Sequence, residues 1–351
     1  MKFLRLAFYV LIAQLVLSGC AGEAVEETSS SSSSEINFDA YLGRNASTRS
    51  EVTDNTHLKG TEGNSGFGVF ARYNYNGKIL SLLDTEHVTW NKDKNHWEYT
   101  NTRFWPSEGS VDFYAFAPYS TAPKLESPNK NEANPTCIYF PSNLSPIDLV
   151  WANAMERTKT NEPVKFTFNH ALARLGLDIK ANQKLEKNGA VITVNKVILY
   201  GASETSGVFV MAGYLNLENG AWTLADNGIS WFYTWTPDGK VDGNEEVKKN
   251  GTVLKLSASQ LDHTNDIITN ADDSYIFIIP QDLPKNFNLK ITYTVKQGDF
   301  EEEVTVTKNL LDVLSGDSKP YFKGGKAYVF HLKLSLDPIN FKVTPEVEPW
   351  K

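Results

Sequence analysis

The spacing of apolar residues constrains this chain more than any other feature. From Ile36 onward they recur at every second position in short runs closed by Gly, Asn, Asp and Pro, and the three-to-four spacing of an amphipathic helix is nearly absent. Ile36, Phe38, Ala40 and Leu42 alternate with Asn37, Asp39 and Tyr41, which predicts a first strand with one buried face. Further strands are expected at 66–75, 88–99 (folded back at Asn91-Lys92-Asp93-Lys94), 111–117, 138–140, 164–169 and 172–180. A second series follows at 190–201, 207–217, 221–224, 229–235, 252–257, 275–279, 289–297, 301–307 and 327–336, with a hairpin turn at Gln297-Gly298-Asp299 and at most one helical turn at 310–314. Two sets of short strands in 351 residues predict an all-β protein of two tandem antiparallel β-sandwiches. They span 35–185 and 186–351, and the polar stretch 182–189 is the boundary.

The two ends are distinctive. Lys2 and Arg5 precede an apolar run at 6–17 that is too short to cross a bilayer, as in an export signal, and the run ends in Leu17-Ser18-Gly19-Cys20. That tetrapeptide resembles the lipobox of bacterial lipoproteins, in which the cysteine thiol takes a diacylglycerol before the signal is cut away, so residues 1–20 read as a lipoprotein signal with its lipobox. Residues 21–34, acidic and then purely serine, cannot bury apolar surface and read as a flexible tether. At the other end Ile339, Phe341, Val343, Pro345, Val347 and Pro349 share one parity, so a last one-faced strand is expected. Its prolines lack backbone donors and suit a sheet edge.

The remaining composition excludes more than it assigns. A net charge of −8, with Lys and Arg scattered among 42 acids, gives no track for a phosphate backbone, so nucleic acid is not a partner. Cys137 is the one cysteine besides Cys20; the mature chain forms no internal disulfide, and Cys137 reads as a small buried hydrophobe. Gly66-Phe67-Gly68 lacks the third glycine of a phosphate loop, there is no nucleophile elbow, and Asp238 to Glu245 lacks the alternate-position carboxylates of a helix-loop-helix calcium site and reads as a solvated turn. His87 and His96 could face each other across a hairpin but have no third ligand, and His170 reads as a packed strand residue. No catalytic residue, metal or cofactor is called for. The eight tryptophans would need exposure to stack on sugar rings, whereas in a sandwich such aromatics belong to the core.

Several segments resemble those of the fimbrillin-like pilins and associated lipoproteins of the Bacteroidia. They are the lipobox at Cys20, Ser47-Thr48-Arg49, Gly68-Val69-Phe70-Ala71, Trp105-Pro106 followed by Val111 to Pro118, Asp148-Leu149-Val150-Trp151-Ala152, Phe168 to Leu175, Gly325 to Leu332, and Trp350. The resemblance implies transthyretin-like sandwiches and a surface pilin whose lipidated precursor is anchored through Cys20 in the outer membrane. An arginine-specific surface protease would cut after Arg49, with Arg44 as second choice. The strand of Ile36, Phe38, Ala40 and Leu42 would then be lost, and the C-terminal strand of a neighbour, carrying Ile339, Phe341, Val343 and Val347, would fill the groove. The implied partners are copies of this chain or related pilins in a fimbrium, together with a host or bacterial surface ligand. The competing reading is an uncut, lipid-anchored glycan-binding protein or a pilus anchor or tip accessory subunit.

Overall fold

The computed structural model describes residues 34–42, 54–120, 123–129, 132–140, 147–181, 189–226, 230–240, 251–256, 260–261, 267–268, 276–313, 321–334 and 342–349. The first half supplies β1 (Phe38–Leu42), β2 (Phe67–Tyr75), β3 (Lys78–Asn91), β4 (His96–Glu98), β5 (Ser110–Ala117), β6 (Leu125–Glu126), β7 (Cys137–Phe140), β8 (Val150–Arg157) and β9 (Val164–His170). Seven of these form one sheet in the order β1-β9-β8-β5-β2-β3-β4. Its inner face holds Phe67, Val69, Phe113, Ala115, Val164, Phe166 and Phe168 in a single core that includes Phe38 and Leu42. In β9 the alternation is strict, whereas β2 and β5 carry unbroken apolar runs because their second face is covered as well.

The cover comes from both halves of the chain. The second half contributes β10 (Ala173–Ala181), β11 (Val191–Tyr200), β12 (Phe209–Val210), β13 (Gly213–Asn216), β14 (Trp222–Leu224), β15 (Ser230–Thr236), β16 (Gly251–Lys255), β17 (Gln260–Leu261), β18 (Ile267–Ile268), β19 (Ile276–Ile278), β20 (Asn288–Gln297), β21 (Phe300–Asn309), β22 (Lys326–Leu334) and β23 (Lys342–Pro349). β13 pairs with β7, so the four-stranded sheet β14-β13-β7-β6 is built from both halves. Ile138, Leu215 and Leu217 pack there with Phe70, Tyr114 and Phe116 from the other face of β2 and β5.

A second core lies between β10-β22-β23 and the sheet β12-β15-β11-β20-β21, and Glu35–Lys351 is one compact unit containing both cores. In β11 the inward residues change parity, from Ile192 and Val194 to Val197 and Leu199. A register shift between Val194 and Lys196 supplies the extra residue. The Gly298 turn joins β20 to β21 with φ +59°, a conformation open to glycine without strain, and Leu310–Asp312 forms the helical turn expected there, of 3₁₀ type.

Two features go beyond the sequence reading. Among the described residues three strand pairs are parallel within the mainly antiparallel fold: β1 with β9, β10 with β22, and β15 with β16. In addition, β10, which precedes the boundary expected at 182–189, lends Ala173, Leu175, Leu177 and Ile179 to the second core. A polar turn signal marks any connection between strands. Which core a strand joins depends on its partner, here β22, far away in sequence.

Candidate functional site

β1 occupies a slot in the first core. Ile36, Phe38, Ala40 and Leu42 are 0, 4, 7 and 5% exposed, while Tyr41, on the opposite parity, is 50% exposed. The Phe38 ring sits in an aromatic box, with centroids at 5.3 Å from Tyr99, 5.8 Å from Phe113, 5.8 Å from Phe166 and 6.4 Å from Phe67. Edge and stacked contacts of this kind add to the area that the ring buries.

Among the described residues the backbone of β1 is laddered on one side only. It runs parallel to β9 in the register Phe38↔Val164, Ala40↔Phe166 and Leu42↔Phe168, with Val164 N–H donating to Asn37 O at 2.7 Å. On the far side the partners are not a strand ladder. Ile36 N–H donates to Arg103 O at 2.8 Å, the Tyr99 hydroxyl donates to Ile36 O at 2.8 Å, and Ala40 N–H is met by the neighbouring Asp39 Oδ1 at 2.9 Å. At the other end Asn55 closes the strand: Leu42 N–H donates to its Oδ1 at 2.9 Å and its Nδ2 donates to Leu42 O at 2.8 Å.

Asn55 opens the short helix α1 (Asn55–Leu58), which Asp54 caps through His57 N–H at 2.7 Å. The sequence reading expects at most one helical turn, at 310–314, and none here. The Asp54-x-x-His57 spacing is the available signal for the helix, and nothing local marks Asn55 as a partner of β1. The chain thus leaves β1 at Leu42 and returns beside it at Asn55. A cut anywhere between those residues leaves β1 joined to the rest by non-covalent contacts alone. Arg44 and Arg49 lie in that interval, outside the described residues, as do Cys20, Ile339, Phe341 and Trp350.

The C-terminal strand β23 is docked on its own molecule. It pairs antiparallel with β22 over Lys342–Pro349 at the end of its sheet, where its prolines leave no inner ladder unfilled. Its apolar face is barely used: Val343 is 7% exposed but Val347 is 52% exposed. The side-chain hold comes from His331 of β22, whose Nδ1 lies 2.7 Å from Asp178 Oδ2 of β10 and whose Nε2 lies 2.8 Å from Glu346 Oε2 of β23. Lys180 Nζ is 3.4 Å from the same Asp178 oxygen, and Lys333 and Lys342 face each other in the adjacent row. Burial alone would lower the His331 pKa, but the hydrogen bonds and charges of Asp178 and Glu346 outweigh it and raise the value above its usual 6.5.

A neutral imidazole can donate to only one of these carboxylates. A raised folded-state pKa makes the His331 contribution complete below the unfolded value and lost as pH rises through the folded one. Amide exchange at Val343 and Val347, corrected for intrinsic rates, is therefore expected to be slower at pH 5.5 than at pH 8.5 by about threefold or more, and His331→Ala is expected to abolish the difference. Equal pH dependence in both proteins would show that the triad does not hold β23.

Other candidates resolve as packing. Trp97, Trp105, Trp231 and Trp235 are buried and Trp90, Trp151 and Trp222 are half-buried. Lys59 Nζ covers Trp90 at 3.9 Å from the ring, and Trp222 Nε1 donates to Ala171 O at 2.9 Å. Among the described residues no exposed tryptophan platform occurs. His87 and His96 are not brought together: His87 stacks on Tyr119 at 3.6 Å with Nε2 at 2.7 Å from Ser65 O, and His96 pairs across from Asn91. His170 lies 3.0 Å from the buried Asp148. Cys137 is buried, and burial raises its thiol pKa, which suits an inert packing residue. Among the described residues no group of three or more His, Cys, Asp or Glu could hold a metal.

The model of the fimbrillin-like family matches residues 48–350. Comparison with curated proteins returned no match. Among solved structures, a fimbrial protein from Bacteroides vulgatus superposes with a TM-score of 0.62 at 20% identity, covering 90% of this chain and 99% of that one. A candidate cell adhesion protein from Bacteroides uniformis superposes with a TM-score of 0.50 at 16% identity, covering 90% and 98%. At these identities the likeness is one of fold.

Proposed function

The chain belongs to the fimbrillin-like family, whose members are pilus or adhesin subunits and not enzymes, and on that premise we propose that it polymerises by exchanging β1 for the C-terminal strand of another subunit. The precursor is exported as a lipoprotein through Cys20 to the outer membrane. An arginine-specific surface protease cuts it after Arg49, with Arg44 as the alternative. The leader carrying Ile36, Phe38, Ala40 and Leu42 departs, and the strand carrying Ile339, Phe341, Val343 and Val347 of another subunit enters the slot.

The observation that supports this reading is the asymmetry of β1. Ile36 and the three inward side chains of β1 are buried, yet among the described residues its backbone is laddered to β9 alone, with only isolated bonds to Arg103, Tyr99 and Asn55 on the other side. A strand of that kind can be replaced by another with the same alternation, because strand addition uses backbone bonds for affinity and side-chain pockets for specificity. β23 has the complementary property, a paired backbone with a largely unburied apolar face.

Full-length precursor treated with an arginine-specific protease is expected to acquire a new terminus at Ser50 and to form SDS-resistant ladders. A variant lacking residues 338–351 is expected to be cut alike and to stay monomeric. Ladders from the shortened variant, or a full-length chain that is never cut, would contradict the reading.

A further inference from the structure

The slot and the strand proposed to fill it share a tripeptide. Ile36-Asn37-Phe38 recurs as Ile339-Asn340-Phe341, and the next inward positions are Ala40 and Leu42 in the first segment, Val343 and Pro345 in the second. We infer that the slot takes residues 339–345 of a second copy of this chain in one register, with Ile339 in the place of Ile36, Phe341 of Phe38, Val343 of Ala40 and Pro345 of Leu42. This inference rests on strand exchange and adds the identity of the occupant and its alignment.

The aromatic box selects the register. Four rings surround Phe38, whereas Ala40 lies opposite Phe166 and is buried as a residue without a side chain beyond Cβ. A slip of two residues in one direction would drive Phe341 into the Ala40 position, where a ring overpacks the core. The same slip the other way would leave the box to Val343 or empty a ring-sized space. A slip of one residue would turn every apolar side chain outward.

The backbone agrees with this alignment. Asn37 and its parity mates face β9, as the Val164 N–H bond to Asn37 O shows, while Ile36 and Leu42 direct their N–H groups away from it, to Arg103 O and Asn55 Oδ1. Pro345 in the place of Leu42 therefore loses no ladder bond. Its missing donor falls on the side where Asn55 Nδ2 can still bond the carbonyl. Asn340 repeats Asn37, whose carbonyl accepts from Val164. Lys342 and Thr344 replace Asp39 and Tyr41, which face solvent, and at such positions the match need not hold. The repeat thus falls on the positions that touch the slot and lapses on those that do not.

Register is read by disulfide trapping between copies. In the parallel pairing Tyr41 stands opposite Thr167, so a second copy would bring Thr344 there. Subunits carrying Thr167→Cys are mixed, during cleavage by the arginine-specific protease, with subunits carrying Lys342→Cys, Thr344→Cys or Glu346→Cys, all in a Cys137→Ala background. The expected result is an intermolecular disulfide from Thr344→Cys at roughly tenfold or greater excess over the other two. A dominant or equal yield from Lys342→Cys or Glu346→Cys, or SDS-resistant oligomers with none of the three crosslinks, overturns the register while leaving strand exchange standing. No oligomers and no crosslinks removes strand exchange itself, and the register with it.

Discussion

Replacing Phe38 by alanine is expected to destabilise the uncut protein by about 3–5 kcal/mol, seen as a lower denaturant midpoint at unchanged slope. The ring is 4% exposed and is enclosed by Phe67, Tyr99, Phe113 and Phe166. Those four come from β2, β5, β9 and the segment after β4. Three of them lie on laddered strands that cannot collapse into the space, so the loss includes a cavity as well as the transfer of the ring. Tyr41→Ala, three residues on but half exposed on the opposite face, is expected to change stability by no more than about 0.5 kcal/mol. Equal effects for the two substitutions would mean that β1 is not a working part of the core.

Much of this arrangement is legible in the sequence because it is local. Alternation in 36–42 and in 164–170 announces one-faced strands, and both bury the residues expected of them. The turns at Asn91 to Lys94 and at Gly298 sit where strand signals break. The prolines at 345 and 349 point to an edge, and β23 lies at one. The unbroken run Phe113 to Ala117 implies burial on two faces, although the identity of the second cover cannot be read from it.

What escapes the sequence is pairing between distant segments. Nothing in Cys137–Phe140 names Gly213–Asn216 as its partner, yet that pairing joins the two halves of the chain and covers β5. β10 joins the second core because it lies parallel to β22, a choice invisible to a boundary drawn at the next polar turn. Asn55 holds the Leu42 backbone by two bonds of its side-chain amide, and an asparagine in a polar segment gives no sign of that role. His331 likewise reads as one more strand residue until Asp178 and Glu346 meet on either side of it. Alternation tells which face of a strand is buried; it does not tell against what.

The same limit explains why the two end strands look equivalent in sequence and differ in the folded precursor. β1 buries its whole apolar parity, whereas β23 buries Val343 and leaves Val347 to solvent. If exchange is what joins subunits, β23 moves from a place where its side chains contribute little to one where they fill a core. At roughly 25 cal/mol per Å² of apolar area, that difference amounts to several kcal/mol in favour of the polymer.

The most direct measurement combines the mass and the amide exchange of polymer washed free of released peptide. β9 faces β1 in the precursor along Val164 to Phe168, and a slot left empty would turn that stretch into an open edge exchanging roughly 100-fold faster or more. The account predicts that the washed polymer lacks every residue before Ser50, yet protects Val164 to Phe168 as strongly as the precursor does. A polymer that retains its leader, or that has lost it and exchanges at β9 like an open edge, would contradict it.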